Sequence, residues 1–521
     1  MKNSTAFKKA ILVTINFLVL SFGLVSYAQP GTLESEFGNG GVVISPEMQA
    51  GLGDTPRAIA ILPDNKIVTA GYSSTFDIYH AYISKYNPDG TPDAGFGSGG
   101  KVINTESFFT QYSDIIAQSD GKTVVCGVRS QIFSSQGHDC FVARYNPDGT
   151  PDNTFGNGGY FSTALSTSTD GLLRIVRLAD GRYVCLARYG SGAAGIAALI
   201  MLTSDGNLDP SFADNGIKTH LFSNTNPQGI SDLALSGEGN ILALGGGDGV
   251  VKMVKFNLNG NVVSAFGSDG TVVVPTGRHV RVNSDGSILV FGELSVGTVQ
   301  MVTYKYTADG SVDSNFGSGG TATYNSPGMD QFFNFLARPL LYPDGRYIRV
   351  WKQVTIENGE TKNKTALTWF NADGSLSDIG EKIHDISPDP DEFSNQSPDQ
   401  AVMDATGDVF SFGYYQNATE NRQFIMKFNG DLNAASVGEL HKMNDLFIYP
   451  NPTSGSLFIN NRSNTGLVSG LEIKNSLGQL VYSTTDFRTN GEIDLSNMAP
   501  GMYYLQAMYD SRPVSFKVIK K

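Results

Sequence analysis

The feature that most constrains this chain is a repeat. Tyr86-Asn87-Pro88-Asp89-Gly90 returns as Tyr145-Asn146-Pro147-Asp148-Gly149, and weaker copies end at Asp205-Gly206, Asn259-Gly260, Asp309-Gly310, Asp373-Gly374 and Asn429-Gly430, seven in all. A second turn signal precedes each copy: Asp64-Asn65, Asp120-Gly121, Asp180-Gly181, Glu238-Gly239, Asp285-Gly286, Asp344-Gly345 and, by position, Thr406-Gly407. Both series step by about 57 residues, a period that belongs to arrays of one repeated supersecondary unit. Gly, Asn and Asp recur at these points because tight hairpin turns need residues that tolerate positive φ.

Short β-branched runs follow the second series of turns, as in Lys66–Gly71, Lys122–Gly127 and Ser287–Gly292. Each unit therefore reads as four antiparallel strands, in the first unit roughly 57–62, 66–72, 79–87 and 100–104. A third signal, Phe-Gly-x-Gly-Gly, stands at 37–41, 96–100, 155–159 and 316–320, with looser versions from Phe212 and Phe266 and a worn one at Ile379-Gly380. Its first copy precedes any complete unit, and the last unit has none after it. That offset predicts an all-β, seven-bladed propeller whose N-terminal strand, Val42–Ile44, completes the seventh blade. A closed ring leaves no sheet edges of the kind an open array would expose. The alternative is a β-solenoid, whose coils are shorter and whose ends need caps. Recurring in register, Phe37, Phe96, Phe155, Phe212, Phe266 and Phe316 read as wedges between neighbouring sheets.

Composition agrees. Charged residues make up 17% and aromatics 11%, and glycine supplies 60 of 521 positions, which suits short strands and glycine turns and excludes both helical bundles and disorder. The net charge of −13 repels a phosphate backbone, so no nucleic-acid partner is expected.

The segment "RYNPDGTPDNTFGNGG" (144–159), preceded by "QSDGKTVVCG" (118–127), resembles the delta-60 repeat of bacterial β-propellers. The resemblance spans residues 31–430, is strongest in the first two units and fades towards the last two. It implies the propeller fold and transfers no catalytic residues.

Both ends carry addresses. Lys2, Lys8 and Lys9 precede an apolar run from Ala10 to Val25, and Ser26-Tyr27-Ala28 offers small residues for cleavage between Ala28 and Gln29. Residues 1–28 thus read as an export signal; 16 apolar residues are short for a bilayer span of about 20, and no later stretch is apolar enough, so the mature chain is expected to lack a transmembrane segment. After a linker at 431–445, residues 446–521 alternate in about seven short strands and suit a small β-sandwich. Tyr449-Pro450-Asn451-Pro452, Gly455, Leu477-Gly478-Gln479, Ile493-Asp494-Leu495, Gly501-Met502-Tyr503-Tyr504 and the basic end from Lys517 resemble, in order, the C-terminal sorting domain of type IX secretion cargo in Bacteroidetes. That resemblance implies Sec export, passage across the outer membrane by the type IX machinery, and a secreted or cell-surface destination. The alternative for this segment is an accessory carbohydrate-binding module.

Chemistry is sparse. Cys126 and Cys140 flank a hairpin loop centred on 133 and are expected to face each other as a disulfide, while Cys185, one repeat position earlier, is expected on the opposite face of its sheet. The six histidines are scattered without metal spacing, no nucleophile elbow or phosphate loop is present, and the Asn87-Asp89-Asp93 spacing lacks the acidic twelfth ligand of a calcium loop, where Ser98 stands. No catalytic, cofactor or metal residue is therefore assigned. The expected function is a non-enzymatic surface or released propeller that binds a glycan or protein through loops such as 73–78, 130–137, 190–195 and 385–399. The alternative is a polysaccharide hydrolase or lyase on the same scaffold, and a third is a structural surface component.

Overall fold

The computed structural model describes residues 29–430 and 446–521, apart from 76–77, 106–108, 131–136, 191–195, 220–221, 223–226, 248–249, 297, 327–336, 358–359, 387–394, 417–420, 450–452, 454, 462–467, 476–479, 485–491, 500 and 510–511. Every regular element among them is a β-strand. The first repeat unit runs Gly53–Ile61, Ile67–Ser74, Tyr79–Tyr86 and Lys101–Ile103, paired antiparallel in that order. The pattern continues with units opening at Phe109–Ala117, Gly171–Arg177, Pro227–Leu235, His279–Val282, Leu340–Leu341 and Asn395–Met403. The turns follow the sequence signals. In the first Asn-Pro-Asp-Gly copy Asp89 accepts the Thr91 N–H at 2.9 Å, and Gly90 takes φ +86°, a conformation that side chains avoid.

The first strand of most units carries a β-bulge, with register shifts at Pro56/Ala58, Tyr112/Asp114, Leu172/Arg174, Ile230/Asp232 and Pro398/Gln400. Glycine on the second strand makes room for it. A Cβ on Gly127 would lie 1.9 Å from the Gln111 carbonyl oxygen, and one on Gly413 would lie 1.8 Å from that of Ser397. The bulge re-aims the residue that follows it.

Units pack face to face through apolar clusters. One cluster joins Val68, Ile83 and Phe96 of the first unit to Tyr112, Val125 and Phe141 of the second. The repeated phenylalanines sit inside such layers: Phe37, Phe96, Phe155, Phe212, Phe266 and Phe316 are each buried. Burial of this kind contributes about 1.5–3 kcal/mol per side chain. A basic residue caps several of these rings, Lys85 over Phe96 at 5.5 Å, Arg144 over Phe155 at 4.7 Å and Lys305 over Phe316 at 5.8 Å.

First strands also touch in succession. Gly53–Ile61 contacts Phe109–Ala117, which contacts Gly171–Arg177, and Asn395–Met403 at the end contacts Gly53–Ile61 at the start. Val42–Ile44 pairs antiparallel with Asn421–Phe428, in the register Val42↔Met426, Val43↔Ile425 and Ile44↔Phe424. A shared core of Phe37, Ile59, Ile67, Tyr86, Phe410, Phe412 and Ile425 binds the two ends of the array. Buried Gln423 adds polar bonds there, its Nε2 donating to Tyr86 Oη at 2.6 Å and to Ser84 and Ser45 Oγ at 3.1 Å each.

The tail forms two sheets of its own. Leu446–Tyr449, Ser456–Asn461 and Glu492–Asp494 make one; Leu480–Thr484, Val468–Asn475, Gly501–Tyr509 and Arg512–Lys520 make the other. Leu457, Ile459, Leu471, Ile473, Ile493 and Leu505 share one buried core with Tyr503 and Val518.

Candidate functional site

Side chains with unusual chemistry converge where the first strands meet. Six positions before each second-series turn, the units carry Ala58, Asp114, Arg174, Asp232, His279, Arg338 and Gln400. In Ala58, Asp114, Arg174, Asp232 and Gln400 this residue directly follows the bulge, which turns it inward. Five consecutive units, from Asp114 to Arg338, thus place an ionisable group at one level, and Arg281 joins from two residues beyond His279.

Asp232 is the hub and is fully buried. Arg338 Nη2 donates to its Oδ1 at 2.6 Å, Arg281 Nη1 to its Oδ2 at 3.1 Å, and Arg174 Nε lies 3.4 Å from Oδ1. The Val280 N–H donates to Oδ2 at 3.2 Å, and His279 Nδ1 stands 3.4 Å away. Arg338 reaches across to Asp114 as well, with Nη1 3.8 Å from Oδ2, an oxygen that also accepts the Ile175 N–H at 3.1 Å. Burial alone would raise the Asp232 carboxyl, but Arg338, Arg281 and His279 hold it well below the usual carboxylate range. Burial pushes the His279 imidazole down to about 4 against the pull of Asp232, so it is neutral at pH 7. Burial also lowers Arg281 to about 10, still protonated at neutral pH. Three arginines therefore face two aspartates, and one positive charge is left over.

Ala58 and Gln400, the two members of the column without an ionisable group, border a cavity of about 330 Å³. Asp114 and Arg338 also line it, and it extends along the inner strands to Ile61, Ala117 and Met403, just short of the turns that follow them. A larger hollow of about 740 Å³ lies among turn residues Ser211–Thr219 and Asn259–Asn261, away from this ionic cluster. It is a surface groove between neighbouring units that includes Asp214 and Lys218, whereas the axial cavity borders the buried ionic cluster.

The residues singled out from sequence fall in several places. Cys126 and Cys140 are not opposite: the register pairs Cys126 with Val142 and Cys140 with Val128, and both are free and buried. The strand register is centred on 134 rather than 133, so each cysteine faces a residue two positions from the other. Cys185, also free, lies in the same apolar cluster as the other two, because the opposite face of its own sheet looks at theirs. In the sorting segment Tyr449, Gly455, Gly501, Tyr503 and Lys517 lie within or beside strands, and Tyr503 Oη donates to the Ala499 carbonyl at 2.8 Å. Ala28, Pro450, Asn451, Pro452 and Gly478 lie outside the described residues, as do residues 387–394 of the loop 385–399. Sequence reasoning missed the axial column. Its signal was the fixed offset of six residues from each turn.

Comparison with known proteins identifies both parts of the chain. The secretion system C-terminal sorting domain family matches residues 447–521. A domain of unknown function (DUF5122) described as a beta-propeller matches residues 62–96, 118–155 and 283–316. No curated protein matches. Similar solved structures include a catalytically inactive virginiamycin B lyase from Staphylococcus aureus with quinupristin, at 10% identity and TM-score 0.40 over 74% of this chain and 99% of that one. The polysaccharide lyase Uly1 is similar at 11% identity and TM-score 0.41, over 76% and 93%. A glucose dehydrogenase is similar at 11% identity and TM-score 0.35, over 74% and 99%. Among the described residues no helix is long and apolar enough to cross a membrane. The chain is a β-propeller protein with DUF5122 repeats and a secretion system C-terminal sorting domain, which sends it by type IX secretion to the cell surface or the extracellular space.

Proposed function

We propose that the mature protein is a non-enzymatic binding propeller that engages a glycan or protein at the cell surface or after release. The observation that carries this reading is the pairing of the axial carboxylates. Asp232 is held by three arginines and Asp114 by Arg338 and a backbone N–H, so neither is left as the free acid or base that glycosidic chemistry requires. The scaffold in this reading is a ring of seven blades sealed by Val42–Ile44, supported by the Val43↔Ile425 register and by the core shared between Phe37 and Phe410. Residues 29–430 form the ring, 431–445 the linker and 446–521 a sorting sandwich, supported by the single core beneath its two sheets. The signal peptide is removed between Ala28 and Gln29, and the sorting motif Tyr449–Pro452, Gly455, Gly478, Gly501, Tyr503 and Lys517 meets the type IX machinery. The test is a glycan array probed with the exported protein, with every hit incubated and analysed for cleavage. Binding without turnover is expected; new reducing ends or unsaturated products would replace this reading with a hydrolase or lyase.

A further inference from the structure

The axial cavity points to a ligand class. Its floor is Arg338, whose Nη2 is bonded to Asp232 Oδ1 while its Nη1, 3.8 Å from Asp114 Oδ2, makes no hydrogen bond among the described residues and keeps N–H donors for a ligand. The cluster behind it holds three arginines against two aspartates, so the field at the floor is positive. The void exists because the column carries the short Ala58 and the neutral Gln400 where the other units carry charged or imidazole groups. Its walls are the first strands Gly53–Ile61, Phe109–Ala117 and Asn395–Met403, each laddered with its own unit along one side; on the other side Phe109 and Asn395 make single bridges to Tyr79 and Asn363 at the strand starts, away from the cavity residues. The unpaired side of such a strand presents a row of N–H and C=O groups, which suits hydroxyls better than hydrocarbon. Gln400 adds an amide able to donate and accept.

We infer that this cavity binds a hydroxylated monocarboxylate of sugar-acid size, its carboxylate on the Arg338 guanidinium and its hydroxyls on Gln400 and the strand edges. A guanidinium N–H donates a charge-assisted hydrogen bond to a carboxylate, and about 330 Å³ holds one sugar ring. A second anionic group would exceed the single surplus charge. This inference deepens the binding reading and rests on it.

The test is calorimetric titration of the exported full-length protein with D-glucuronate, with glucose as the neutral ring of the same size. Glucuronate should bind at least about tenfold more tightly than glucose. Arg338→Met should abolish that preference, and Ala60→Phe, a larger side chain on the cavity wall at a residue with no bond to the ionic cluster, should abolish binding of both sugars. Equal affinity for glucuronate and glucose, no heat with glucuronate, or an undiminished glucuronate response in Ala60→Phe would each overturn the inference. If Arg338→Met does not fold, as read by circular dichroism, the Ala60→Phe result decides alone. Binding of neutral glycans only, on the array, would sink this inference and leave the general binding reading standing.

Discussion

Replacing Asp232 with Asn removes one negative charge and leaves the volume almost unchanged. Three guanidinium groups then face one another with Asp114 as the only remaining carboxylate of the cluster, and the nearest donors to the lost charge sit at 2.6, 3.1 and 3.4 Å. Removing one partner of a buried ion pair costs about 3–5 kcal/mol, because the remaining charge stays desolvated. The amide oxygen can still accept the Val280 N–H, so little of the loss would come from that bond. The expected effect is therefore a loss of about 3–5 kcal/mol at pH 7, read as a lower urea midpoint in equilibrium unfolding followed by tyrosine and tryptophan fluorescence. Adding Arg338→Met to Asp232→Asn should recover part of the loss, since it withdraws one stranded cation. Coupling between contacting residues of this kind is about 0.5–3 kcal/mol. A single-variant loss below about 1 kcal/mol, or strict additivity in the double variant, would refute the hub role of Asp232.

Asp399 supplies a pH prediction. Burial raises its carboxyl to about 7, against the opposing pull of Arg57, the Ser397 hydroxyl and Lys352. The folded state thus holds a proton that the unfolded state releases near pH 4, and stability should fall as pH rises from about 4 to 7. Asp54, raised by burial to about 6, acts in the same direction. Asp399→Asn should flatten that slope and add up to roughly 4 kcal/mol at pH 8; an unchanged pH profile would refute the assignment. The three thiols should resist a soluble disulfide reagent in the native protein and react in full on denaturation, whereas three-thiol reactivity without denaturant would contradict their burial. Truncation after Leu440 should hold the protein in the periplasm, and surface display of the truncated chain would contradict the sorting role of the tail.

The strands and turns were legible because their chemistry repeats. Asn87-Pro88-Asp89-Gly90 and its copies name the turn, Phe96 and its copies name the packing layer, and the surplus Phe37 copy pointed to the strand at Val42. The axial column was not legible in the same way, because it changes identity from unit to unit. Ala58, Asp114, Arg174, Asp232, His279, Arg338 and Gln400 form no motif, and they align only by their distance from the turns. The positions that pack sheet against sheet keep one residue type from unit to unit, as Phe96 and its copies do. The positions that meet across the axis are under a different constraint, since equal charges in every unit would repel. The cysteine pairing failed for a local reason: sequence alone does not fix hairpin register, which is centred on 134 rather than 133, and Cys126 faces Val142.

The sealing of the array by its own N-terminal strand can be tested with one cross-link. Val43→Cys and Ile425→Cys place two cysteines at directly paired positions 382 residues apart in sequence. Mild oxidation of the exported protein should join them, seen as a linked peptide pair by mass spectrometry, with the unfolding midpoint raised. Two free thiols at these positions in folded, oxidised protein would contradict it.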